Sequence, residues 1–355
     1  MQSELHPFHS VDYEYLRPSK SRITGQKGPI DEFTHYKGEP QYRNLYYGTN
    51  IPDDQFKKTM EFNDMLKRDL ANGTIAPHLP EFWSLHDSWR FADAAGYREE
   101  HMCRDAVNHS LWIEQMKDFR LTPEGAKQLT DGVITVYGRD KRGFPIFWVD
   151  FKKADTSTKG CEAAENALIF ASAVVKKYML LPYHCELFNI VIDVGNCSVF
   201  SLSKKFLSTV MGLHQTHFKN SMLKLIIYNP SFTLYALWKT ISLVYNKKYL
   251  ERVRIVKKGN EKDLWEILDP EQTPIRCKGT APDIQQFWPP LSLEKDPITV
   301  EEIKAQNLMT FDFIGHQADT KVFLKYKPFE EPPTPKGDDP VWYNLTGKLD
   351  KTLYP

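Results

Sequence analysis

The chain has 355 residues, enough for one large or two modest domains with a real core. Its 46 Lys plus Arg are matched by 46 Asp plus Glu, giving zero net charge. That balance argues against a nucleic-acid partner, which needs a basic excess or face, but not against a local basic patch at a membrane.

Residues 1–50 lack helical or strand periodicity and are rich in Tyr, Pro, Gly and charge ("HYKGEPQYRNLYYG"), so an extended arm is expected there. The opening "MQSELHPFHSVDYEY" resembles neither a signal peptide nor an arginine-rich transit peptide. No apolar run approaches the roughly 20 residues of a bilayer span. Five cysteines (Cys103, Cys161, Cys185, Cys197, Cys277) without C-x-x-C spacing read as free thiols. The expectation is an intracellular, reducing compartment: cytoplasm, a membrane periphery, or a mitochondrion for a subunit of a complex there.

Residues 51–130 read as a helical lobe. "DDQFKKTMEFNDMLKRDLANG" offers Asp53 and Asp54 as caps, places Phe56, Met60 and Leu66 on one side, and closes on Asn72-Gly73. Two helices follow, broken at Gly96-Tyr97, then a short one near "TPEGAKQLTDG". Residues 131–289 alternate strands and helices. "GVITVYGRDKRGFPIFWVDF" is a hairpin turning between Gly138 and Gly143. "ENALIFASAVVKKYML" is a helix with a broad apolar face. Strand Phe188 to Val194, helix "SLSKKFLSTVMGLHQTHF", strand Leu223 to Tyr228, helix "TLYALWKTISLVYNKKYLERV" and strand "RVRIVK" come next. The class is α/β, a mostly parallel sheet flanked by helices. "EKDLWEILDPEQTP" is a further short helix, and residues 290–355 form a second expected extended arm.

Several punctuated segments together resemble the CRAL-TRIO lipid-binding domain family, which includes phosphatidylinositol/phosphatidylcholine transfer and tocopherol- and retinaldehyde-binding proteins. "GRDKRGFPIFW" is similar to the family's G-x-D-x-x-G-R-P-V turn, with Phe144 in place of the arginine. "IVIDVGNCS" is similar to the strand ending in D-x-x-G-x-S, and "LKLIIYNPSFTLYALWKTI" to the strand that leads into the gate helix. The resemblance implies an apolar cavity for one lipid. Its floor would be Ile134, Val136, Phe147, Val149, Ile190, Ile192, Leu225 and Ile227. Its mobile lid would carry Leu234, Leu237, Trp238, Ile241, Val244 and Tyr245. Each buried CH₂ is worth about 0.8 kcal/mol, so apolar walls alone can hold a lipid. Read from periodicity alone, the same stripes are ordinary core.

The departures from the family pattern bear on the ligand. Ala92, Asp93 and Ala95 stand in the run where phosphoinositide-competent relatives place arginine; Lys219 replaces an acid, and Ile241 lies where the gate helix would carry lysine. An arginine fork and a lysine are the usual grip on a phosphorylated inositol ring. Their loss argues against phosphoinositides and for a less polar ligand, or none.

Lys247, Lys248, Arg252, Arg254, Lys257 and Lys258 gather after the gate helix, interleaved with Glu251 and Glu261. They read equally as an anionic-lipid dock, at about 1 kcal/mol per well-placed cation, or as a solvated rim. His214 and His217, three apart, could face a metal, but no third ligand has usable spacing, so ordinary helix-end histidines are expected and no metal. His184-Cys185 are sequence neighbours that point apart on an extended segment, which favours a structural role. Asp193 reads as a turn cap. No cofactor-binding fingerprint is present and no enzyme is expected. The aromatic arms suggest protein partners. Two functions are therefore expected in competition: a non-enzymatic lipid-binding protein peripheral to membranes, or an architectural accessory subunit of a membrane-associated complex built on the same fold.

Overall fold

A computed structural model describes residues 13–25, 33–36, 39–46, 51–77, 85–116, 121–181, 184–195, 212–236, 250–282 and 287–299, with positions 79, 83, 119, 197, 206, 284, 301 and 302. The amino-terminal segment supplies a short helix, α1 (Lys20–Gly25), and an antiparallel hairpin of β1 (Phe33–Tyr36) and β2 (Glu39–Arg43). The lobe is built from α2 (Asp53–Ala71), α3 (Leu85–Ala94) and α4 (Glu99–Met116), followed by α5 (Pro123–Thr130). The break between α3 and α4 falls at Gly96 and Tyr97, both left-handed, with φ of 61° and 55°.

Two details of α2 differ from expectation. Asp53 and Asp54 lie inside the first turn, where their charge is attracted to the positive end of the helix dipole; the N-cap is Pro52, which has no side-chain oxygen to offer. The apolar residues also divide between two partners. Phe62, Met65 and Leu66 enter the lobe core with Trp83, Phe91 and Ala106. Phe56 and Met60 instead pack on a second cluster containing Ile23, Tyr46 and Trp89. The amino-terminal segment covers a stripe that the lobe leaves open.

The central sheet runs β3 (Ile134–Arg139), β4 (Pro145–Asp150), β5 (Phe188–Asp193), β6 (Met222–Tyr228) and β7 (Val253–Val256), in that spatial order. The first pair is antiparallel and the rest are parallel. Helix α6 (Thr158–Val174), continued by a π-helical turn (Val175–Met179), links β4 to β5. A short α7 (Lys262–Trp265) follows β7. In the β3–β4 turn, Asp140 is fully buried. It accepts the N–H groups of Arg142 (2.9 Å) and Phe144 (2.8 Å) and the amide of Asn189 on β5 (2.9 Å). Gly138 has φ +68°, and a Cβ there would collide with the carbonyl of Gln272. Only glycine lets the hairpin and the later segment approach so closely.

The segment expected as a bare arm is tied down in its described part. Ser19 and Pro297 form a β-bridge flanked by Lys20 N–H to Asp296 O (2.9 Å) and Ile298 N–H to Pro18 O (3.0 Å). Tyr15 donates its hydroxyl to Pro290 O at 2.7 Å, and the Trp288 indole donates to the Tyr13 hydroxyl at 3.3 Å. Tyr13 and Leu16 belong to the main sheet core. For these residues the covering surface is the chain's own domain.

Beneath this double strap lies Arg139, 1% exposed. It donates to Gly143 O (2.8 Å), Met179 O (3.1 Å) and Leu16 O (2.7 Å), and its Nε is 3.7 Å from Glu294 Oε1. Burial lowers its pKa, opposed by Cys185 and Glu294. Burial raises Glu294, but Arg139 and Arg22 outweigh that and hold its carboxyl below the usual range. Replacing Arg139 by leucine strands three buried carbonyls, while Glu294 keeps Arg22 (3.2 Å) and the Ser19 N–H (2.8 Å), so the variant is expected to lose roughly 3 kcal/mol or more of stability. Lys20→Ala, which breaks a solvent-exposed pair with Glu302, should leave stability nearly unchanged. Urea unfolding of the two variants side by side tests the contrast.

Candidate functional site

The strand register assembles the floor. Ile134 faces Val149 and Val136 faces Phe147 across β3 and β4. Phe147 and Val149 align with Ile190 and Ile192, which align in turn with Leu225 and Ile227. Because side chains alternate along a strand, these eight residues share one face. The intervening Ile146, Trp148, Val191 and Ile226 enter a separate cluster on the other face with Leu264 and Leu268.

The floor is covered. Seven of its residues are 1% exposed or less, and they share a core with Leu168 of α6, Phe206, Leu213 and Leu234. Only Ile227, near the carboxyl end of β6, is half-buried. Leu234 lies on the turn of helix at 232–236 and is buried. The other expected lid residues, Leu237, Trp238, Ile241, Val244 and Tyr245, lie outside the described residues. At the carboxyl ends of the strands, Asp193 accepts the Gly195 N–H at 2.9 Å, a turn cap. Asn229 is left-handed (φ 58°) beside Gly195, where a Cβ would meet the Asn229 amide.

Of the two histidines read as helix-end residues, His217 is half-buried in the turn that closes the helix, and His214 lies much deeper. His214 is 3% exposed, with its ring 5.0 Å from that of Phe188, 5.7 Å from Phe218 and 6.3 Å from Phe147. His217 turns elsewhere: it stacks on Trp112 at 4.2 Å, and its Nδ1 lies 3.4 Å from His109 Nδ1 on α4. The two imidazoles therefore serve separate neighbourhoods. Among the described residues no three His, Cys, Asp or Glu side chains gather as metal ligands. One signal for His214 was available: it stands four residues before Phe218, on the apolar side of its helix.

Residues 129–279 match the family model described as the CRAL/TRIO domain. This segment is a CRAL/TRIO domain. The family is one of lipid binding and transfer. The crystal structure of Sfh5 is similar, at 10% identity and a TM-score of 0.49, over 73% of this chain and 98% of that one. No curated protein matches the sequence.

Around the CRAL/TRIO domain the expected basic rim divides. Lys247 and Lys248 lie outside the described residues. Arg252 is not a rim residue: it is 6% exposed, donates to Met222 O (2.9 Å) and Asn220 Oδ1 (2.8 Å), and stacks over Tyr42 at 3.6 Å. Its planar guanidinium staples the hairpin segment to the start of β6. Arg254 is exposed and pairs with Glu266 at 2.6 Å. Lys257 and Lys258 are exposed, and the Lys257 ammonium lies 4.1 Å from the Tyr235 ring centroid at the lid's start. Beside them Phe232 is 85% exposed. Cys185 is buried, and that burial pushes its thiol up to about 11, which suits a packing group better than a nucleophile.

Burial lowers His214 to about 3. Burial, with help from Lys219, lowers His217 to about 4, and burial and His217 lower His109 well below its ordinary value. In the unfolded chain these groups titrate near 6.5. Above that value both states are neutral and nothing is lost. Below it the unfolded chain takes up protons that the fold refuses, so stability falls as the pH drops from about 6.5 toward 3. Urea unfolding at pH 7.5, 6.0 and 5.0 should show that decline, with a shallower slope in His214→Phe. A flat profile would count against buried neutral imidazoles.

Proposed function

We propose that the chain holds one apolar, lipid-like ligand against the floor face of the sheet and meets a membrane through the start of its lid. The observation that carries this is the coincidence at the carboxyl end of β6. There the one floor residue that solvent reaches, Ile227, stands beside a helix that opens with the exposed Phe232. Lys257 and Lys258 flank that helix, so an apolar residue and two cations share one edge. Elsewhere the floor is closed by side chains, so loading requires the lid to swing away from it. Burial of the acyl chain, at about 0.8 kcal/mol per CH₂, is the force that would keep it open.

Phosphoinositides fit this site poorly. Arg90 is committed to the carbonyls of Asn220 and Glu186, and Lys219 to Asp105 at 2.9 Å. An uncharged lipid suits the apolar surface better, and no catalytic step is proposed. A setting at the cytoplasmic or mitochondrial face of a membrane suits the exposed edge.

One observation favours a second reading. Seven floor residues exposed by 1% or less describe an interior filled by the chain's own side chains, as an architectural subunit would have. In that reading the terminal segments outside the described residues engage protein partners.

Native mass spectrometry separates the two readings. The first expects one added lipid mass on the purified chain, lost several-fold in Ile227→Trp, which fills the open corner while keeping the circular dichroism of the fold. The second expects no added mass, and a chain that fractionates only with a large complex. For the membrane edge, Phe232→Asp combined with Lys257→Glu and Lys258→Glu should weaken sedimentation with phosphatidylserine vesicles by about tenfold or more. An unchanged sedimentation profile would remove that edge from the proposal.

A further inference from the structure

Among the buried polar side chains, His214 stands out: neither Nδ1 nor Nε2 has a hydrogen-bond partner. The other histidine of the pair, His217, has one in His109. His214 instead presents both nitrogens within a cage of Phe147, Phe188 and Phe218. Phe147 belongs to the floor, and Phe188 meets it edge-on at 5.0 Å. A buried donor or acceptor left unmade costs about 1–3 kcal/mol. A phenylalanine would fill an aromatic cage without that cost, so packing alone does not account for an imidazole here.

We infer that His214 is the polar anchor of the chamber, hydrogen-bonding one uncharged oxygen group, a hydroxyl or carbonyl, on an otherwise apolar ligand. This rests on the lipid-binding reading above and sharpens it to a ligand class. A neutral imidazole carries one donor and one acceptor. Through one ring nitrogen it can therefore accept from a hydroxyl, or through the other donate its N–H to a hydroxyl or a carbonyl. The imidazole is held in that neutral form by burial. It offers no countercharge to a carboxylate or phosphate, whose transfer into this apolar cage would go uncompensated. The site thus selects against anionic headgroups placed beside the floor and for a single neutral polar function there.

The test pairs two probes of equal chain length, 1-hexadecanol and hexadecane, delivered from cyclodextrin to the full chain and to the variants His214→Phe and His214→Gln. The expected result is that His214→Phe weakens hexadecanol by roughly three- to tenfold, the worth of one net hydrogen bond, and leaves hexadecane unchanged. His214→Gln keeps part of the preference. The ligand-free melting temperature of His214→Phe should rise, because an unsatisfied group has left the core. If phenylalanine overpacks, His214→Leu makes the same comparison. The imidazole ¹⁵N resonances of the wild-type chain supply a readout free of any variant: they should move with hexadecanol and stay put with hexadecane. Equal losses for both probes, or none, together with unmoved resonances, would overturn the anchor while leaving the lipid reading intact. If neither probe binds the wild-type chain, the lipid reading falls and the anchor with it.

Discussion

A buried guanidinium organises this molecule. Arg139 sits at the end of the hairpin's first strand and is bound by the carbonyls of Leu16, Gly143 and Met179 and by the Glu294 carboxylate. Those partners come from the amino-terminal strap, the hairpin turn, the end of α6 and the carboxyl-terminal strap. No apolar contact could specify four such distant segments at once, because oil has no direction. A planar fork of donors does, and in an interior of low polarity its bonds are strong only when every one is made. The cost is that the charge must never lose its partners.

With that corner fixed, the sheet can devote its two faces to different tasks. One face is sealed by the segment after β7, with Leu264 and Leu268 over Trp148 and Val191. The other carries the floor, covered by α6 and by the helices that follow β5 and β6. Two bonds tie polar groups on the sealed side and in the turn: the Asn189 amide to Asp140 at 2.9 Å and the Trp148 indole to the Tyr137 carbonyl at 2.8 Å. On the floor side an imidazole goes without. The unmade bonds of His214 thus lie on the floor side of the sheet, beside Phe147 and Phe188.

Much of this was legible in the sequence. Strand and helix alternation, the helix break at Gly96-Tyr97 and the common face of the floor residues all follow from local periodicity and punctuation, which depend on neighbours within a few positions. What was not legible depends on distant partners. The strap is short, polar and paired with residues some 275 positions away, so no periodic signal marks it. Arg252 read as a surface cation because charge in a run of Lys and Glu is normally solvated; its burial is decided by Tyr42 and Asn220, far off in sequence. His214 and His217 looked alike as a spaced pair. The helical lobe separates them by supplying His109 and Trp112 to one and nothing to the other.

The strap has a consequence for biogenesis. Tyr13 and Tyr15 leave the ribosome among the first residues, yet the Trp288 and Pro290 that hold them emerge only after nearly 300 residues of translation. Until then Arg139 lacks the Leu16 carbonyl and Glu294, and the nascent domain carries a half-coordinated cation beside uncovered aromatic surface. Contacts so remote in sequence close last and slowly. The interval is when a chaperone would find the most to hold, and a chain cut short before residue 288 would stay in that waiting state.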